Sequence, residues 1–249
     1  ALTFDNQDQE KEVYLFNTGT RDQWRKLDGS SVNLSGVAGG QYLAVPFELA
    51  GQTPSGSTTT LPAMIPSTQT FMVLASKAGN LSIDYSQLVK NQTITNASGN
   101  QIATRSATTA TDNKVDAPAT GNSLTVKQIP ALVMDVIGDQ SADRVWVFNK
   151  KETTYGFDNG WDGRKIADDN SAQLYVAASD SSKLQVATVP SFNKTVIGFV
   201  PDKDGTYTLD FALSKDMASG PIYLKDLLTG NQLQFANGQF YTFTAIRGV

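Results

Sequence analysis

Gly156-Phe157-Asp158-Asn159-Gly160-Trp161-Asp162-Gly163-Arg164-Lys165 is the stretch around which this chain is organised. It follows Val145-Trp146-Val147-Phe148, which is apolar at every position and reads as a strand covered on both faces. Two turn signals, Asn159-Gly160 and Asp162-Gly163, fall inside the ten residues. Asp and Asn accept backbone hydrogen bonds and Gly tolerates positive φ, so the spacing predicts a rigid loop. In that loop Asp side chains cap amides and Trp161 packs on a sheet edge. Short segments follow: Leu174 to Ala177, Leu184 with Val186, and Val196 to Val200 with a bulge expected at Gly198. Tyr207, Leu209, Phe211 and Leu213 then alternate at period two. Leu233 and Phe235 are expected to meet Phe240 to Phe243 across Asn237-Gly238.

Upstream, Val13 to Phe16 is a short strand, and Leu43, Val45, Phe47 and Leu49 alternate around Pro46, which favours an edge or a bulge. Phe71 to Ala75 reads as an inner strand, with Leu81, Ile83 and Tyr85 as its hairpin partner. Thr93 to Gly121 is rich in Thr, Ala, Asn and Ser and poor in large apolar side chains, so a domain boundary is expected at roughly residues 105 to 120. No ten-residue stretch carries a helical stripe. The fold class expected is all-β, with two mostly antiparallel β-sandwich units, Ig-like or jelly-roll-like, over residues 1–110 and 111–249.

The composition narrows the function. The chain has 249 residues, 40% of them hydrophobic and 18% charged, with 20 Gly and a net charge of -4. Without a concentrated basic stretch, nucleic acid is not an expected partner. The chain holds no Cys and no His, which excludes disulfides, thiol and histidine catalysis and nearly every zinc site. The longest apolar-rich stretch, Ile129 to Ile137, is interrupted by Pro130 and Asp135, so no transmembrane span is expected. Ala1-Leu2-Thr3-Phe4 has no signal-peptide pattern, and the missing initiator Met reads as processing.

Three chemistries are worth weighing. Asp158, Asp162, Asp168 and Asp169 form the densest carboxylate group beside a glycine loop, and calcium is the one cofactor they could take. Their spacing departs from the EF-hand pattern, and structural turns account for them more simply. Trp24, Tyr155, Phe157 and Trp161 lie near turns and could stack on a sugar ring, although Trp161 plugging a sandwich end is the simpler expectation. Paired carboxylates could hydrolyse glycosides, but only Glu10, Glu12, Glu48 and Glu152 are present and the Asp residues sit in turns. No catalytic residue is assigned.

Several segments carry a resemblance. Leu61-Pro62-Ala63-Met64-Ile65-Pro66 with Thr70-Phe71-Met72-Val73, then Asn80-Leu81-Ser82-Ile83, resembles a proline-turn-strand unit in long secreted proteins of Bacteroidetes. Asp143-Arg144-Val145-Trp146-Val147, Gly156 to Lys165, Gln173-Leu174-Tyr175 and Gly205-Thr206-Tyr207-Thr208-Leu209 are similar to later parts of the same proteins. The chain thus resembles their non-catalytic C-terminal β modules. The resemblance implies export and the cell surface, in association with the outer membrane, and it supplies no catalytic residue. The function expected is a non-enzymatic structural or adhesive module of a larger secreted protein, with host or bacterial surface glycans or proteins as partners. A carbohydrate-binding module is the alternative, and a glycan-cleaving enzyme the remoter one.

Overall fold

The computed structural model describes residues 2–4, 9–18, 39–53, 60–65, 68–75, 77–83, 93–95, 101–103, 128–139, 141–214, 221–236 and 239–248. The stretch expected to join two domains, and Trp24, lie outside these residues. Described strands, in chain order, are β1 (Leu2–Phe4), β2 (Glu12–Phe16), β3 (Tyr42–Pro46), β4 (Phe71–Met72), β5 (Leu81–Ile83), β6 (Thr93–Thr95) and β7 (Gln101–Ala103). The series continues with β8 (Ala131–Ile137), β9 (Ala142–Asn149), β10 (Gly163–Arg164), β11 (Gln173–Ala177), β12 (Lys183–Val189), β13 (Val196–Val200) and β14 (Gly205–Leu213). It closes with β15 (Tyr223–Lys225), β16 (Gln232–Gln234) and β17 (Phe240–Ala245). The fold is all-β and mostly antiparallel, as the alternating runs predict. Among the described residues no helix is long and apolar enough to cross a membrane.

The chain forms two compact units, each discontinuous in sequence. One comprises Ala1–Gln9 and Lys77–Thr125, the other Glu10–Ser76 and Val126–Val249. The first contains two antiparallel pairs, β1 with β5 and β6 with β7. The second contains everything else described below. Residues 10–76 therefore share a core with the C-terminal half and do not fold apart from it.

In this second unit the main sheet runs β13-β11-β12-β9-β8-β14-β17, with β10 also paired to β12. Only β9 and β12 are parallel. Six inter-strand spacings of about 4.8 Å would hold the edges of a flat sheet roughly 29 Å apart. Instead Phe199 of edge strand β13 meets Phe243 of edge strand β17, ring centroids 5.1 Å apart, and Tyr207 of β14 at 4.8 Å. The sheet therefore curls into a half-barrel. Its concave face holds Leu132, Met134 and Val136 of β8, Val145 and Val147 of β9, Leu174 of β11 and Phe211 of β14.

The convex face is covered too. Strands β3-β2-β4 form a small sheet whose Tyr14 and Ala44 pack with Leu49 and Leu61 against Val133, Trp146, Phe148 and Val186. This is why the run from Val145 to Phe148 has no polar position: odd residues serve one core and even residues the other.

Between these sheets β12 carries a bulge. It advances from Leu184 to Val186 while β10 advances from Arg164 to Gly163. The extra residue is Gln185, buried, whose Oε1 accepts Ala44 N–H at 2.7 Å and whose Nε2 donates to the Tyr42 carbonyl at 3.2 Å. One amide side chain thus pairs with β3 along the side that β2 does not occupy.

Several local expectations are corrected. The strand containing Pro46 ends there, at the sheet edge, and Phe47–Leu49 is a 3-10 turn, because proline cannot donate onward pairing. Phe71–Met72 is a two-residue edge strand, and Leu81–Ile83 pairs with β1 instead of with it. Gly198 is no bulge, since β13 pairs with β11 in continuous register from Val196 to Val200. The hairpin across Asn237-Gly238 does not form its expected pairing: β16 pairs with β15 and β17 with β14, while Phe235 stacks edge-on against Phe211 at 4.2 Å.

Candidate functional site

The loop from β9 to β10 is built on side-chain acceptors. Asp158 Oδ2 accepts Thr154 N–H at 2.6 Å and the Thr154 hydroxyl at 3.1 Å. The Asp158 carbonyl accepts from both Trp161 and Asp162 N–H. Asp162 returns the contact: its Oδ2 accepts Asp158 N–H at 2.7 Å, and its Oδ1 accepts Thr188 N–H of β12 at 2.6 Å. Asp162 is 1% exposed, and burial pushes its carboxyl up to about 7, against the pull of those two amides.

The loop also docks on the small sheet. Asn159 Oδ1 accepts Lys11 N–H at 2.6 Å, and the Gly160 carbonyl accepts Glu48 N–H at 3.0 Å. Gly160 makes this turn at φ +91, which a side chain rarely adopts. At Gly163 the requirement is space: a Cβ there would stand 2.7 Å from Ala44 Cβ and 3.1 Å from Glu12 Oε2.

Below Gly163 lies a buried polar cluster. Glu12 Oε1 accepts the Tyr14 hydroxyl at 2.5 Å, and Oε2 accepts Arg164 N–H at 3.0 Å. Burial, then the neighbouring Glu10, pushes Glu12 up to about 9. Burial and the Glu12 charge also raise the Tyr14 phenol. The Arg164 guanidinium donates to Glu10 at 2.8 Å and to Ser182 at 2.7 Å, and lies 3.8 Å above the Phe157 ring. Further along, Lys165 Nζ reaches both oxygens of buried Asp143.

The aromatic residues singled out from the sequence do not share one platform. Phe157 packs on the concave core and Trp161 on the convex one, with Lys150 Nζ 4.9 Å over the Trp161 ring. Tyr155 is 37% exposed, and its hydroxyl donates to the Asn193 carbonyl at 2.9 Å. Asp168 takes Asn170 N–H and the Ser171 hydroxyl, and Asp169 is exposed. Among the described residues, no group of three or more Asp or Glu is placed to hold a metal ion.

Sequence reasoning missed Glu12, Asp143 and Gln185. Gln185 interrupts the apolar run of Lys183–Val189, and that interruption is the signal that could have marked it, whereas Glu12 and Asp143 stand at the starts of their strands, where a charge is ordinary.

The arrangement is one of interlocked turns and buried pairs. No family model matches the chain, and no solved structure matches it. It is 46% identical over 243 residues to the Minor fimbrium subunit Mfa5 of Porphyromonas gingivalis strain ATCC 33277. The alignment covers 96% of this chain, which spans 18% of the length of that curated relative. The resemblance to modules of Bacteroidetes surface proteins is thereby borne out, and the chain is closely related to one segment of a much longer minor fimbrial subunit.

Proposed function

We propose that this chain is a non-enzymatic structural or adhesive module of a larger fimbrial-type protein, exported and held at the cell surface. One observation carries the reading: the identity to a fimbrial subunit runs along 96% of the chain and is not confined to a motif. It is supported by the use of the acids, since Asp158 and Asp162 hold backbone amides and Glu12 sits in a buried polar cluster. Surface labelling of intact cells with antibody to this chain, alongside outer-membrane fractionation, is the test. Surface signal is expected, and a strictly cytoplasmic protein overturns the reading. A glycan and host-matrix array probed with the intact chain then separates scaffold from adhesin. Saturable glycan binding lost in Tyr155→Ala, with the melting temperature unchanged, would favour a carbohydrate-binding module. Polysaccharide turnover abolished by neutralising one carboxylate would replace the proposal with an enzyme.

We also propose that each compact unit is sandwich-like. The opposed sheets of the second unit support this for that unit. Limited proteolysis in residues 104–121 is expected to leave fragments that stay associated, because residues 10–76 share a core with residues 126–249. Two pieces that separate and each remain folded would argue for a consecutive division near residue 110.

A further inference from the structure

The main sheet of the second unit ends in β13 and β17, whose outer sides pair with no other described strand. An open edge is a template for another chain, and proteins ordinarily blunt it with lysine, proline, a bulge or a cover. Strand β13 has no such guard within its length. Its five residues are Val196-Ile197-Gly198-Phe199-Val200, in unbroken register with β11. Val196 is 46% and Val200 41% exposed. We propose that two copies of this chain meet at this edge, pairing β13 to β13 in antiparallel register about Gly198.

The strand is its own complement. Reversed about Gly198, Val196 falls opposite Val200 and Ile197 opposite Phe199, so apolar side chains of one face meet apolar side chains of the same face. The valines form the outer row. Ile197 and Phe199 already pack on the concave core, and the pairing continues that apolar row into the second copy. At the centre the two glycines bring no side chains, and Tyr175 of β11 covers them. Its ring lies across Gly198, the hydroxyl oxygen 2.6 Å from where a Cβ would stand, with Lys183 Nζ 4.7 Å over the ring. The ring thus reaches from β11 towards the open edge, and two such rings converge over the paired glycines.

Charge fixes the direction. Exposed Lys194 is the one charged residue between Pro190 and Thr195, ahead of β13. Asp202 and Asp204 follow the strand, and Lys203 between them is already paired with Asp139. Antiparallel pairing about Gly198 sets Lys194 of each copy beside Asp202 of the other, whereas parallel pairing would set like charges together. The contact is closed by its two-fold symmetry, because each copy uses the edge of the other and no third copy can add at β13. Five residue pairs make a small interface, so the dimer is weak in dilute solution and is favoured where copies are held close together.

The chain has no cysteine, so introduced ones report the pairing without background. Residues opposite one another in an antiparallel ladder lie about 4.5–5.5 Å apart at Cα, within reach of a disulfide. Full-length Val196→Cys and Val200→Cys chains, mixed and mildly oxidised, should link into a covalent dimer on a non-reducing gel. Neither variant alone should link, because in this register each cysteine stands roughly 14 Å along the ladder from its own counterpart. Sedimentation equilibrium of the wild type should show reversible dimerisation that rises with concentration. Val196→Lys should weaken it roughly tenfold, since the dimer contains that valine pair twice, while the melting temperature stays that of the wild type. Linking of Val196→Cys chains with themselves in preference to the mixture overturns the antiparallel register. A mixture that links no better than the single variants overturns the proposal and leaves the edge to a strand of another protein or to solvent, as does a wild type that stays monomeric. Self-association and surface location are separate readouts, so neither result depends on the other.

Discussion

Two turns of the second unit are organised by an aspartate, and the two aspartates stand in opposite environments. Asp162 ties its own turn to β12 from inside the protein, under the partly buried Trp161. Asp226 organises the exposed turn between β15 and β16, where its Oδ1 accepts Leu228 and Thr229 N–H and its Oδ2 accepts the Tyr241 hydroxyl at 2.6 Å. Each accepts two backbone amides. Yet burial pushes Asp162 up to about 7, whereas the Tyr241 and Thr229 hydrogen bonds hold Asp226 down at about 2. The same local device therefore favours the charged form in both places, and in the core the cost of burial outweighs it. What the buried version gains is reach, because it joins a loop to a strand 26 residues away.

The largest test of this contrast is Asp162→Ala. It orphans two backbone N–H groups, one of them wholly enclosed, and should cost roughly 3 kcal/mol. In a body of this size that corresponds to a fall in melting temperature of about 6–12 °C. Asp226→Ala exposes its freed amides to water and should cost only about 1 kcal/mol by the same calorimetric measurement. Equal losses would break the comparison.

The pH dependence sharpens it further. In the fold Asp162 keeps a proton that the unfolded chain releases near 3.8, so its contribution is full at low pH and falls as pH rises to about 7. Asp226 has the opposite sign: its contribution is present above 3.8 and is lost as pH falls to about 2. The stability gap between wild type and Asp162→Ala should therefore narrow from pH 4 to pH 7. The gap to Asp226→Ala should narrow from pH 4 to pH 2. Denaturant titration across this range checks both, and narrowing on the same side for both variants would refute the assignment. The smallest effect expected is none: calcium or a chelator should leave the wild-type melting temperature unmoved, because both Asp162 oxygens already face N–H groups. A calcium-dependent rise that disappears in Asp162→Ala would revive the metal reading.

What could be read without coordinates was local. The alternation of Tyr207, Leu209 and Phe211 lands all three on one buried face, and Val145 to Phe148 is enclosed on both sides. Asn159-Gly160 and Asp162-Gly163 mark a real turn, with the positive φ at Gly160. Pairing was not legible, because it is decided by contacts distant in sequence. Nothing near Leu81 announces β1 as its partner, and the Asn237-Gly238 signal suggests a hairpin that the tertiary structure overrides by pairing β17 with β14. The candidate site was legible in its loop but not in its support. Glu12 and Asp143 look like ordinary charges beside Lys11 and Arg144 until the fold brings Arg164 and Lys165 to them.

Gln185 has a bearing on what holds the two layers of the second unit in register. The outer side of β3 lies against β12, and the buried Ala44 N–H would find no water there if the side chain were apolar. A single bulged glutamine answers that N–H and the Tyr42 carbonyl together, so the layers are fastened by directional bonds as well as by apolar packing. Gln185→Val would keep the bulk and leave both backbone groups unanswered, and the resulting defect would appear as a loss of roughly 2 kcal/mol of stability in denaturant titration.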